Sequence, residues 1–236
     1  MKKIYLAVAV AAAFAVQGVH AQDYQMEAGV SYADDSNDSA MGLDFTYHIE
    51  TVETADRPLA EAAFLGRNSN VSAFYVNPDD SNLEDTLGLG VEWWFDNIYA
   101  AAAVSDTDGD NELALRLGYM LEDAFLVYAG FNDSDSMDVS GMAVGTKYVG
   151  NSINFEAEVI RYDDDSDTAQ FIVAADYYIN NSFSVGATAD KFESAAATYG
   201  IRSRYFVTPV LSAEVGYDKT ESVEDELISA RIAYRF

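Results

Sequence analysis

Once the first 21 residues are set aside, His48 is the one histidine left, and the chain has no cysteine. General acid–base and nucleophilic catalysis at neutral pH draw on histidine or thiol chemistry. A lone histidine at the end of an alternating segment is expected at a rim, not in a triad. Thiol, disulfide and thiolate–metal chemistry are closed to the chain. What remains is carboxylate chemistry. The runs DTDGD (Asp106 to Asp110) and DDDSD (Asp163 to Asp167) offer the oxygens that calcium and magnesium take. The first lacks glycine at its sixth position and acid at its twelfth, so it is not an EF-hand. Such runs read as solvated loops with loose, nonspecific divalent binding at most. No nucleotide loop, metal triad or haem motif is present, and no cofactor is expected.

A second set of charges is interleaved with apolar residues. Glu27, Asp44, Arg116, Glu156, Glu158, Asp176, Arg202, Arg204, Glu214, Arg231 and Arg235 each fall at alternate positions of segments whose other positions are apolar. Glu92, Glu112, Asp190, Asp218 and Lys147 follow the same rule. If the apolar faces meet lipid, these charges line an interior too polar for a dry core. Their chemistry is electrostatic: they would select ions and order water. Arg202 and Arg204, counted to the thirteenth strand, and Arg231 and Arg235, on the last, lie apart from Asp44, Glu156, Glu158 and Asp176. Two arrangements fit, a transverse field between opposed walls or neighbouring ion pairs that knit one wall.

The elements that must position these charges repeat with a period of two. Leu87, Leu89, Val91, Trp93 and Phe95 alternate with Gly88, Gly90, Glu92 and Trp94. Tyr24, Met26, Ala28, Val30 and Tyr32 alternate with Gln25, Glu27, Gly29 and Ser31. Strands of this kind recur to the last residue, joined alternately by acidic loops centred near Asp35, Asp80, Asp108, Ser134, Asp165, Ser194 and Val223 and by short links. Seven loops on one side imply about 14 strands (12 to 16), an even number. The exception is Glu50 to Asn70. Asp56 to Pro58 resemble an N-cap and first-turn proline, helix formers run from Leu59 to Leu65, and Gly66 stands where a cap would. A short helix near residues 57–66 is expected; the competing strand would make the count odd.

Composition narrows the class. Lys2 and Lys3, an apolar run from Ile4 to Val16 and the small-x-small pattern at Val19 to Ala21 predict a secretory signal peptide over residues 1–21. Residues 22–236 form one domain. No apolar run is long enough for a transmembrane helix. Without the two leader lysines, eleven basic residues face 40 acidic ones, which excludes nucleic acid as a partner. Sixteen tyrosines and thirteen phenylalanines argue against acidic disorder.

The segment ELISARIAYRF, Glu226 to Phe236, places Ile228, Ala230, Ile232, Tyr234 and Phe236 on one face. It resembles the closing strand of bacterial outer-membrane β-barrels, the signal read by the barrel-assembly machinery. RPLAEAAFLGRNSNV, Arg57 to Val71, resembles a stretch of the putative general bacterial porin family, small Gram-negative outer-membrane porins of similar length.

The resemblance implies an all-β fold, a transmembrane antiparallel up-and-down barrel, acting as a passive channel in the outer membrane for small hydrophilic solutes or ions. Outer-membrane lipid and lipopolysaccharide would surround it, and a homo-oligomer is a further partner the fold class permits. The acidic excess points to a cation preference. A plugged, structural barrel with loop-mediated contacts is the alternative, although loops of 5 to 8 residues offer little surface for a partner. A barrel enzyme is the more distant one.

Overall fold

The structure, a computed structural model, describes residues 23–35, 38–80, 82–136, 138–163, 168–193, 195–221 and 226–236. Residues 1–22, with the expected signal peptide, and most of the DDDSD run lie outside them. Fourteen strands follow one another: β1 (Tyr24–Asp34), β2 (Ser39–Val52), β3 (Asn70–Pro78), β4 (Thr86–Phe95), β5 (Ile98–Thr107), β6 (Asp110–Glu122) and β7 (Phe125–Ser134). The second half comprises β8 (Val139–Val149), β9 (Ile153–Tyr162), β10 (Ala169–Asn180), β11 (Phe183–Phe192), β12 (Ala197–Thr208), β13 (Leu211–Thr220) and β14 (Glu226–Arg235). Each pairs antiparallel with its neighbours, and β1 pairs with β14, closing the barrel. In that seam Glu27 stands opposite Arg235 and Asp34 opposite Ile228. Closure leaves no strand edge unpaired, the condition for a sheet in lipid.

The alternation expected from the sequence sets the two surfaces. Leu117 is 64% exposed, Val144 67% and Ile228 62%, all on the outer face. An apolar belt of this extent is stable only when lipid covers it. Among the described residues no helix is long and apolar enough to cross a membrane; the strands do the crossing.

Local structure departs from expectation in four places. A bulge between Tyr24 and Met26 turns Tyr24 inward, where it is buried against Val52 and Ala62. The acidic loop expected over residues 106–110 is a two-residue turn. Asp108 and Gly109 have φ of 54° and 91°, the left-handed values of the hairpin turn that aspartate–glycine favours, so β5 and β6 extend to meet it. Arg202 and Arg204 lie on β12, not on the thirteenth strand. The helix forms, but with other caps: a 3-10 turn (Leu59–Glu61) leads into α1 (Ala62–Gly66), without a side-chain cap at its start. Asp56 instead takes φ 58°. Beyond Gly66, Arg67 is left-handed at φ 53°. Its N–H reaches the Phe64 carbonyl, and that of Asn68 reaches the Ala63 carbonyl, each at 3.0 Å. This is the Schellman closure, made here by arginine in place of glycine.

The packed core lies at the end of the short turns. Tyr24, Val52 and Ala62 form one cluster. Trp94, Met120 and Leu126 form another, with Phe64, Tyr99 and Tyr128 against it. Both contain or touch α1.

Candidate functional site

The residues that line the lumen are set by register, and three features organise them. The first is the 59–66 segment, which lies inside the barrel mouth at the short-turn end. The Leu59 N–H donates to the Asn181 carbonyl at 2.8 Å, and the Leu59 carbonyl accepts from Arg235 Nη1 at 2.9 Å. Glu61 accepts from Asn154 Nδ2 and the Tyr178 hydroxyl, both at 3.0 Å, and pairs with Lys147 Nζ at 2.9 Å. Lys147 also pairs with Glu156 at 2.8 Å and lies 4.9 Å from the centre of the Phe64 ring. Phe64 meets Trp94 edge-on at 6.0 Å. Asn68 donates to the Thr51 carbonyl at 3.2 Å. The segment is thus tied to β2, β4, β8, β9, β10 and β14, around the circumference, and Ala62 at its centre is 0% exposed.

The second feature is a set of ion pairs that reach over intervening strands. Arg202 on β12 donates two parallel bonds to Asp176 on β10, at 2.9 and 2.5 Å. Arg231 on β14 does the same to Asp44 on β2, at 3.0 and 2.5 Å, and reaches Glu27 at 2.9 Å. Arg116 on β6 holds Glu158 on β9 at 2.9 and 2.7 Å. Shorter pairs join Arg235 to Glu27 at 2.6 Å and Arg204 to Glu214. The long ones cross glycines. A Cβ at Gly29 would meet Asp44 and Arg231, one at Gly130 would meet Arg116, and one at Gly186 would meet Asp176. The forked guanidinium geometry makes each such pair directional as well as attractive.

The third feature is what stays unpaired. Each of the lumen-facing cations Arg116, Lys147, Arg202, Arg204, Arg231 and Arg235 has a carboxylate partner. Glu112 and Asp218 make no ion pair among the described residues. Among the described residues Asp190 accepts from the neutral Gln170 amide at 3.0 Å, and Glu92 from Asn70 at 3.1 Å and Tyr99 at 3.2 Å. Glu112, Asp190 and Asp218 stand on β6, β11 and β13, towards the loop end.

Each of the eleven residues singled out from the sequence makes an ion pair, with another of the set or with Lys147, in the groups just described. Opposed walls of free charge do not form, because every arginine in the set has its carboxylate close by. Sequence reasoning missed Glu61, counted there as a helix former, although it is the one acid in a run of apolar residues. It also missed Phe74, whose ring lies on the lumen side over Gly88. Phe74 and Val76 are no more polar than Ala73, Tyr75 and Asn77 beside them, so alternation gave no sign. His48 is buried, its ring edge-on to Tyr24 at 5.5 Å. Among the described residues no three His, Asp or Glu side chains converge as a metal site.

Among the described residues, cavities lie along the lumen. One of about 210 Å³ lies between Glu61 and the Asp176–Arg202 and Arg204–Glu214 pairs. One of about 230 Å³ lies beside Phe64, Trp94 and Tyr99. Both include Lys147 and Glu156 in their walls. A third, of about 340 Å³, has Arg116 in common with the second.

Comparison with solved structures places this architecture among porins. The Acinetobacter baumannii outer membrane protein Omp33 superposes with a TM-score of 0.80 at 26% identity, over 92% of this chain and 100% of that one. The KdgM porin gives 0.55 at 8% identity, over 89% and 99%. A Rhodopseudomonas blastica porin variant gives 0.52 at 10%, over 91% and 99%. The last two are alike in fold alone. Comparison with curated protein sequences gives no match. The model of the family described as "Putative general bacterial porin" matches residues 1–134 and 115–236. With a closed fourteen-stranded barrel, a charged lumen and a family match that runs through both halves of the sequence, the chain belongs to the putative general bacterial porin family of outer-membrane channels.

Proposed function

We propose that the barrel is a cation-preferring diffusion channel for small hydrophilic solutes or ions, narrowed at its periplasmic mouth by residues 59–66. Porin topology sets the short turns in the periplasm and the longer loops outside. The observation that carries the preference is the asymmetry of pairing: each lumen-facing cation is neutralised, while Glu112, Asp190 and Asp218 keep uncompensated charge in the outer half. A low-dielectric wall focuses that field into the water between. Pairing also makes the eleven candidate lumen residues as much a scaffold as a filter.

The reading extends to export and assembly. Residues 1–21 serve as a secretory signal, Glu226 to Phe236 presents the strand read by the barrel-assembly machinery, and outer-membrane lipid with lipopolysaccharide covers the belt. A homo-oligomer through that belt is compatible with the fold, and the channel reading assigns His48 no catalytic role.

The test is single-channel recording from the refolded mature protein in a planar bilayer under a salt gradient. Discrete steps with a cation-selective reversal potential support the channel. A folded, inserted barrel that stays silent supports the second reading, a plugged structural barrel, which the attachment of the 59–66 segment around the circumference favours.

A further inference from the structure

We infer that the cavity of about 340 Å³ in the outer half of the lumen is a binding site for organic monocations carrying one flat apolar group. The inference rests on the channel reading and names the solute class that its lumen retains.

The cavity exists because its floor is made of small side chains. Ala103 on β5 and Ala114 on β6 line it, and Gly88 on β4 gives the Phe74 ring a place to lie; any Cβ at Gly88 would run into that ring. Phe74 is 41% exposed, and the space it faces is lumen. Across the cavity stand Ile160, Ile172 and Tyr162. Tyr162 is held in place, stacked on Phe192 at 6.0 Å with its hydroxyl donating to Gln170 Oε1 at 3.0 Å. Two rigid apolar walls therefore face each other at a volume at the small end of ligand pockets.

The polar groups decide the sign of the ligand. Arg116 is spent: Nε and Nη2 go to Glu158, and Nη1 goes to Asn132 Oδ1 at 2.6 Å and to the Leu115 carbonyl at 3.0 Å. Glu112 lines the same cavity with no cation beside it. An ammonium near Glu112 meets an unopposed carboxylate, and an aromatic face adds attraction for a desolvated cation. An anion meets that carboxylate, while the guanidinium in the wall is already neutralised by Glu158. A neutral sugar gains only the ring contacts.

Benzyltrimethylammonium is the probe, with tetramethylammonium and benzenesulfonate as matched partners lacking ring or positive charge. In planar-bilayer recordings benzyltrimethylammonium should reduce single-channel current saturably. Glu112→Gln and Phe74→Ala should each weaken that block about fivefold or more. Equal block by tetramethylammonium would overturn the site, since charge alone would then be read. Asp218→Asn removes the same charge from the lumen outside the cavity, and a loss of block equal to that of Glu112→Gln would also overturn it. If the folded barrel conducts nothing, the channel reading fails on its own. Titration calorimetry on the protein in micelles then decides the site: one saturable benzyltrimethylammonium event, lost in Glu112→Gln, upholds it, and the absence of binding sinks it.

Discussion

Asp176 and Arg202 meet above Gly186, the residue that stands directly opposite both of them on the strand between. Two strands separate by about 10 Å, and a guanidinium spans that gap only if nothing rises from the middle strand. Gly29 plays the same part for Asp44 and Arg231, and Gly130 for Arg116. The wall is thus braced from inside by bridges laid flat against it. That geometry widens the lumen compared with side chains standing upright.

Gly186→Ala should break the bridge without touching either partner's charge. The new methyl would meet the Asp176 carboxylate and lie 2.8 Å from the Ala175 carbonyl. The Arg202 side chain is a third exposed, so solvent screens part of the loss, and a destabilisation of about 1–3 kcal/mol is expected. The urea midpoint of the refolded barrel in micelles measures it. A midpoint equal to wild type would show that the bridge carries no stability.

Lys147→Met should loosen the 59–66 segment. It would leave Glu61 and Glu156 facing each other without their common cation, and an uncompensated buried carboxylate moves towards water. Single-channel conductance should rise about twofold or more. Adding Glu61→Gln should bring it back down, since an amide at position 61 keeps the Tyr178 bond and gives the unpartnered Asn154 Oδ1 a donor. Unchanged conductance in both variants would mean that ions do not pass beside the segment.

Combining Glu112→Gln, Asp190→Asn and Asp218→Asn should move the reversal potential towards zero while the barrel still folds, because none of these carboxylates supports an arginine. The same number of neutralisations among paired acids, such as Asp44, Asp176 and Glu158, should instead expose arginines and drive selectivity towards anions. A reversal potential that responds equally to both sets would refute the assignment of preference to unpaired charge.

Outside the strands, Asp85 accepts from the Tyr75 hydroxyl and from Asn77 Nδ2, each at 2.5 Å, and these bonds hold its pKa below the usual carboxylate range. A depressed folded-state value stabilises the β3–β4 loop above the unfolded pKa, and that support is lost as pH falls through the folded value. Limited proteolysis of the loop should therefore quicken only at distinctly acid pH. In Asp85→Asn this pH dependence should be absent.

The strands were legible because a period of two is a property of neighbours in sequence, and the belt and the lumen each demand it. Strand pairing is a property of neighbours in space. For that reason Asp176 and Arg202 were both placed inward, while their partnership, 26 residues apart and set by the glycine between them, was invisible. Tyr24 was misplaced because one bulge reverses every face beyond it. Asp108 and Gly109 form a two-residue turn that acidic neighbours disguised as a longer loop. The helix was readable from proline and helix formers, yet its place in the mouth depends on Glu61, whose partners Asn154, Tyr178 and Lys147 come from three different strands.

The seam between β1 and β14 carries a consequence in time. Glu27 finds Arg235 208 residues later in the chain, and Met26 exchanges backbone bonds with Phe236 at 2.8 and 2.9 Å. Every other pairing can form between strands adjacent in sequence as they emerge. The edge of β1 gains its second neighbour only once β14 is present, so this seam closes the longest stretch of chain of any pairing in the barrel and carries the largest loop-closure cost.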